Sequence, residues 1–93
     1  MEIKRQTKLV VEDRSQVSEV RRMAVAMATA IGFDEASAGQ VAIVATELAS
    51  NLVKHARKGH VLAQVVEHAT RPGMDLFGID KGPGIGNMSK VRG

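Results

Sequence analysis

Ninety-three residues, 44% of them apolar and 25% charged, allow one domain and exclude a fibre or a disordered tail. A chain of this size buries about 60–65% of its unfolded surface, so the core is modest. Without cysteine there is neither a disulfide nor a thiolate metal site, and the net charge of +3 is carried by scattered Lys and Arg with only Phe33 and Phe77 as aromatic platforms, which argues against nucleic acid as a partner. The opening Met1-Glu2-Ile3-Lys4-Arg5-Gln6 lacks the apolar core of a signal peptide, and no apolar run approaches a membrane span. A cytoplasmic protein with no membrane contact is the expectation.

From Glu2 to Val11 the residues alternate, with Ile3, Thr7, Leu9 and Val11 on one face and Glu2, Lys4, Gln6 and Lys8 on the other, which predicts a half-buried strand over 2–11. Asp13 is placed to cap a helix over 14–31, in which Val17, Val20, Ala24, Met27, Ala28 and Ile31 recur at spacings of three and four. Gly32 is the residue that ends it. Arg21 and Arg22 fall off that stripe and read as a solvated face, while Met23 and Met27 read as core filler.

Asp34 or Ser37 caps a second helix over 35–57, and Gly59 turns the chain out of it. About 100° per residue gathers Val41, Ala45, Leu48, Leu52 and Ala56 on an apolar stripe, with Glu47, Asn51, Lys54 and Lys58 along its edge. Residues 60–68 follow as a strand with Val61, Ala63 and Val65 on one consistently apolar side. Ala69-Thr70-Arg71-Pro72-Gly73 reads as a turn, and 74–80 as the returning strand of a hairpin, with Met74, Leu76, Gly78 and Asp80 on one face. The fold class is therefore α+β, a two-layer sandwich of helices on a mixed or antiparallel sheet.

Two stretches carry chemistry. Glu47 and Asn51, one turn apart, point a carboxylate and an amide at one spot. Taken alone, such a pair is an ordinary solvated flank, and Asp80-Lys81-Gly82-Pro83-Gly84 alone is an ordinary turn. Their combination and order are more specific. Glu-Leu-Ala-x-Asn followed by Lys-His-Ala, a hairpin, and Asp-x-Gly-Pro-Gly-Ile resembles the first two nucleotide-binding boxes of the GHKL ATPases, and within them the small anti-sigma and switch serine/threonine kinases (RsbT-like). The resemblance runs over essentially the whole chain.

It implies a partial Bergerat ATP-binding fold over 1–93, with residues 81–93 opening the ATP lid and the chain stopping before the second glycine box. It also implies roles. Asn51 would hold Mg²⁺ through its amide oxygen, Glu47 would act as catalytic base, and Asp80 would read the adenine amine of ATP. Gly82 and Gly84 would let the backbone approach the base, with Ile85 beside them. His55 matches the pattern but is given no chemistry, and His60 and His68 have no further ligands at zinc spacing.

The function so implied is phosphorylation of a STAS-domain antagonist protein in bacterial regulation; some relatives also bind a sigma factor or a phosphatase. The alternative is a non-catalytic interaction module, or the N-terminal part of a kinase-phosphatase fusion, that keeps the fold. A histidine-kinase catalytic fragment ranks lower, because its boxes stand further apart. A last strand with an open edge leads to the further expectation of a homo-oligomer.

Overall fold

The computed structural model describes residues 2–55, 59–68, 71–80 and 85–92. They form β1 (Glu2–Val11), α1 (Ser15–Ala30), α2 (Glu35–Lys54), β2 (Gly59–His68), β3 (Arg71–Asp80) and β4 (Ile85–Arg92). The four strands make one antiparallel sheet in the order β1-β2-β3-β4, and both helices lie on one side of it. This is the expected α+β two-layer sandwich. No helix among the described residues is long and apolar enough to cross a membrane.

Local chemistry sets the helix ends. Asp13 accepts from the Ser15 backbone N–H at 2.9 Å, while the Gln16 side chain accepts from the Asp13 N–H at 3.2 Å, a reciprocal arrangement that fastens the first turn of α1. At the other end Gly32 takes a left-handed φ of 88°; its N–H donates to Thr29 O at 3.1 Å, and the Phe33 N–H donates to Ala28 O at 3.1 Å. That pairing is a Schellman motif, and Phe33 and Ala28 are both buried beneath it. Asp34 caps α2 by accepting from the Ser37 N–H at 2.8 Å.

The core fills the space between helices and sheet. Val20, Ala24, Met27 and Ala28 of α1 and Val41, Ala45, Leu48, Ala49 and Leu52 of α2 meet Leu9, Val11, Val61, Ala63, Met74 and Leu76 from the strands. Small residues on both helices let them pack closely against each other. Met23 departs from its reading as core filler: it is exposed at the groove between α1 and β1.

Several boundaries differ from those the sequence suggested. The helices span Ser15–Ala30 and Glu35–Lys54 rather than 14–31 and 35–57. Strand β3 begins at Arg71, not at residue 74, and pairs Pro72 with Glu67 of β2. Pro72 stands near the start of β3, outside the Gly73–Ile79 stretch that pairs with β4 among the described residues. Beyond Asp80 the difference is larger. Residues 85–92, expected within the opening of a lid, form β4, which pairs along β3 from Ile79↔Ile85 to Gly73↔Arg92.

Candidate functional site

Helix α2 presents the residues of the first stretch on its outward and open side. Its buried positions Val41, Ala45, Leu48, Ala49 and Leu52 face the sheet and α1. Glu47 is consequently exposed, Asn51 is half-buried at the margin of the stripe, and Lys54 is exposed in the last turn. The chain leaves the helix at His55, whose backbone N–H donates to Asn51 O at 3.1 Å, so the Asn51 main chain is occupied in closing the helix and its side chain remains the chemical group.

The flank on which Asn51 sits is set by its neighbours. A cavity of about 550 Å³ lies between α1 and α2, lined by Arg14, Val17, Ser50, Val53 and Lys54. Val53 therefore marks the α1 flank of α2. Asn51, two residues earlier and about 200° away, is on the opposite flank, where α2 overlies β3 and β4.

Asp80 ends β3 on that same layer. Side chains alternate along the strand, and Met74 and Leu76, both fully buried, define its helix-facing side. Gly78 and Asp80 share it, and Asp80 is half-buried. The register sets Gly59 opposite Asp80 and Val61 opposite Gly78. A Cβ on Gly59 would meet Ile79 O at 2.1 Å and Asp80 Cα at 2.8 Å, so the absence of a side chain there is what lets β2 run this close to the Asp80 backbone. The sequence suggested only a turn for Gly59; its role depends on a cross-strand partner that no local pattern reveals.

The described residues thus bring Glu47 and Asn51 together on α2 and place Asp80 on the layer beneath that helix. Ile85 is the first residue of β4, opposite Ile79. Gly82 and Gly84 lie outside the described residues.

The arrangement suits a nucleotide and its cation. A hard dication takes oxygen ligands and keeps several waters, so a single amide oxygen beside a polyphosphate is a sufficient protein contribution. Asn51 carries an amide oxygen at the half-buried margin of α2. Among the described residues no three or more His, Cys, Asp or Glu gather into a group that could hold a metal without such a ligand. Asp80 offers a carboxyl acceptor with glycine on the neighbouring strand and two positions back on its own, which keeps bulk away from a flat ring.

Residues 10–92 match the family model described as a histidine kinase-like ATPase domain. Searches of curated proteins and of solved structures returned no match.

Proposed function

The chain belongs to the histidine kinase-like ATPase domain family, and on that premise we propose that it is an ATP-binding serine/threonine protein kinase of the anti-sigma or switch type, acting on a STAS-domain antagonist protein. One observation carries the reading. The helix that bears a carboxylate and an amide one turn apart overlies the strand that ends in Asp80, so groups suited to the phosphate end and the base end of one nucleotide belong to adjoining elements.

Bound Mg-ATP would supply the transferable γ-phosphoryl group. Asn51 would take one position on the cation, holding the phosphate chain against α2. Asp80 would accept from the adenine amine, a donor that guanine replaces by a carbonyl. Gly82 and Gly84 would allow close backbone approach, and Ile85 would lie beside the ring. Glu47, exposed on the outer side of α2, can meet a hydroxyl presented by another protein. The Glu47 carboxylate would take the proton of the acceptor's Ser or Thr hydroxyl as that oxygen bonds to the γ-phosphorus, with ADP leaving.

Calorimetric titration with Mg-ATP tests the binding half. Wild type gives a saturable heat, Asp80→Asn loses the preference for ATP over GTP, and Asn51→Ala loses the dependence on Mg²⁺. Glu47→Gln tests the transfer half: nucleotide binding persists while phosphate incorporation into a STAS-domain protein stops. Transfer that survives this substitution removes Glu47 as the base.

A second reading, a non-catalytic interaction module, is favoured by one feature. Only residues 81–84 separate β3 from β4, which leaves no segment between those strands to fold over a triphosphate. No heat with Mg-ATP, together with an intact fold, would select it.

A further inference from the structure

The side of the sheet turned away from the helices has its own composition. Cross-strand register aligns Val10, His60 and Ile79 in one row and Lys8, Leu62 and Phe77 in the next. Val10 is 48% exposed, and Leu62, Phe77 and Ile79 are half-buried without any helix above them. This makes a contiguous apolar patch across three strands, where an antiparallel sheet facing water ordinarily alternates to polar residues.

Around the patch the charge is one-sided. Lys8, Arg71, Lys90 and Arg92 share the face, and Asp75 is the one acidic side chain among its described residues. Two cations share that one carboxylate, so the cluster keeps a net positive charge. Asp75 is 3% exposed, 3.3 Å from Lys90 Nζ and 3.1 Å from Arg92 Nη1, with Arg92 lying across Gly73 to reach it. A second copy presenting the same cations would be repelled.

We propose that this outer sheet face, an apolar patch of Val10, Leu62, Phe77 and Ile79 framed by Lys8, Lys90 and Arg92, is a docking surface for a protein segment that alternates acidic and apolar residues. Apolar burial supplies affinity and the cationic frame supplies selection. Nucleic acid fits less well, since Phe77 and the half-buried His60 are the rings this face offers among its described residues. The inference does not rest on the nucleotide reading: the face lies on the opposite side of the sheet from Asp80, and loss of ATP binding would leave it intact.

The test is an amide-resolved NMR titration of the whole chain with three synthetic peptides that alternate Glu with Val, Glu with Ser, and Lys with Val. The Glu/Val peptide should shift the amides of Lys8, Val10, Leu62 and Phe77. The Glu/Ser peptide should bind about tenfold more weakly or worse, since burial of one valine is worth at least that factor. The Lys/Val peptide should not bind. Lys8→Glu should abolish the shifts and Lys8→Arg should keep them, with circular dichroism confirming the fold of each.

Equal binding of the two acidic peptides overturns the proposal, as does no shift up to about 1 mM peptide. Shifts confined to the outer edges of β1 and β4 overturn it in favour of strand addition. Concentration-dependent dimerisation that shifts the same amides assigns the face to a second copy instead, and tighter occupation by a single-stranded oligonucleotide or by anionic vesicles assigns it to those.

Discussion

Replacing Gly59 by alanine probes the closest approach in the sheet. The added Cβ would lie 2.1 Å from Ile79 O and 2.8 Å from Asp80 Cα. Both are main-chain atoms, so no rotamer change relieves the overlap, and β2 must move away from β3 by about 1 Å or more to restore ordinary contact. Forced shifts of this kind cost about 1–3 kcal/mol. A domain of this length has a total stability of roughly 5–14 kcal/mol at about 0.05–0.15 kcal/mol per residue, so the change is a large fraction of the whole.

With a urea slope of about 1 kcal/mol/M, the unfolding midpoint should fall by about 1–3 M. Gly39→Ala supplies the opposite case. Gly39 is an exposed position inside α2 where an added Cβ would meet nothing within 4 Å, so alanine there should raise stability by about 0.5–1 kcal/mol through helix propensity alone. Urea denaturation of both variants measures a difference in sign. If Gly59→Ala unfolds within about 0.5 kcal/mol of wild type, the close approach of β2 to Asp80 is wrong. Mg-ATP titration of folded Gly59→Ala adds a functional readout, because a displaced Asp80 should bind the nucleotide more weakly.

Three further outcomes are expected. Leu48→Ala, at a position 5% exposed in the core, should cost about 2–5 kcal/mol in denaturant titration. Asp34 is held below the ordinary 3.8 by the Ser37 backbone N–H and then by its hydroxyl. Its stabilisation is therefore complete above pH 3.8 and lost as pH falls through the lower folded value, so Asp34→Ala should lower the melting temperature at neutral pH and by progressively less as the pH is taken below 3.8. His60 is pushed below 6.5, first by burial and second by Lys8. Between that lowered value and 6.5 the unfolded chain binds more protons, so this contribution is present above pH 6.5 and fades as pH falls through the window. Lys8→Met should raise the His60 titration midpoint measured by NMR while leaving it below 6.5, because burial is the larger cause.

What was legible in the sequence is what local chemistry decides. Asp34, Ser37 and Gly32 announce helix ends through hydrogen bonds spanning only a few residues, and the period of α2 places Glu47 and Asn51 at the margin of the buried stripe. Strand alternation likewise puts Asp80 on the face of Met74 and Leu76. Cross-strand register was not legible, because it depends on residues far apart in the chain. Pro72 reads locally as a turn, yet pairing with Glu67 sets it in β3. Residues 85–92 show no strand signature as clear as that of 74–80, yet they pair along β3 as a fourth strand. Gly59 and Asp75 acquire their roles only once their partners, Asp80 and the Lys90–Arg92 pair, are brought alongside.

Strand β3 ties the two faces together. Along ten residues it sends Met74, Leu76 and Asp80 toward the helices and Asp75, Phe77 and Ile79 the other way. A slip of one residue against β2 would bury Asp75 and Phe77 under α2 and turn Met74 and Leu76 to water. Gly59 opposes that slip, because it stands where the Ile79 and Asp80 main chain comes too close for a Cβ. The Asp75 carboxyl, matched by Lys90 and Arg92 with Gly73 opposite Arg92, fixes the neighbouring register of β3 against β4. The glycine beside Asp80 on the inner face and the charge cluster on the outer face thus hold β3 against its two neighbours. A substitution that loosens either one should therefore be felt on both faces, at the end of β3 where Asp80 sits and across the patch around Phe77.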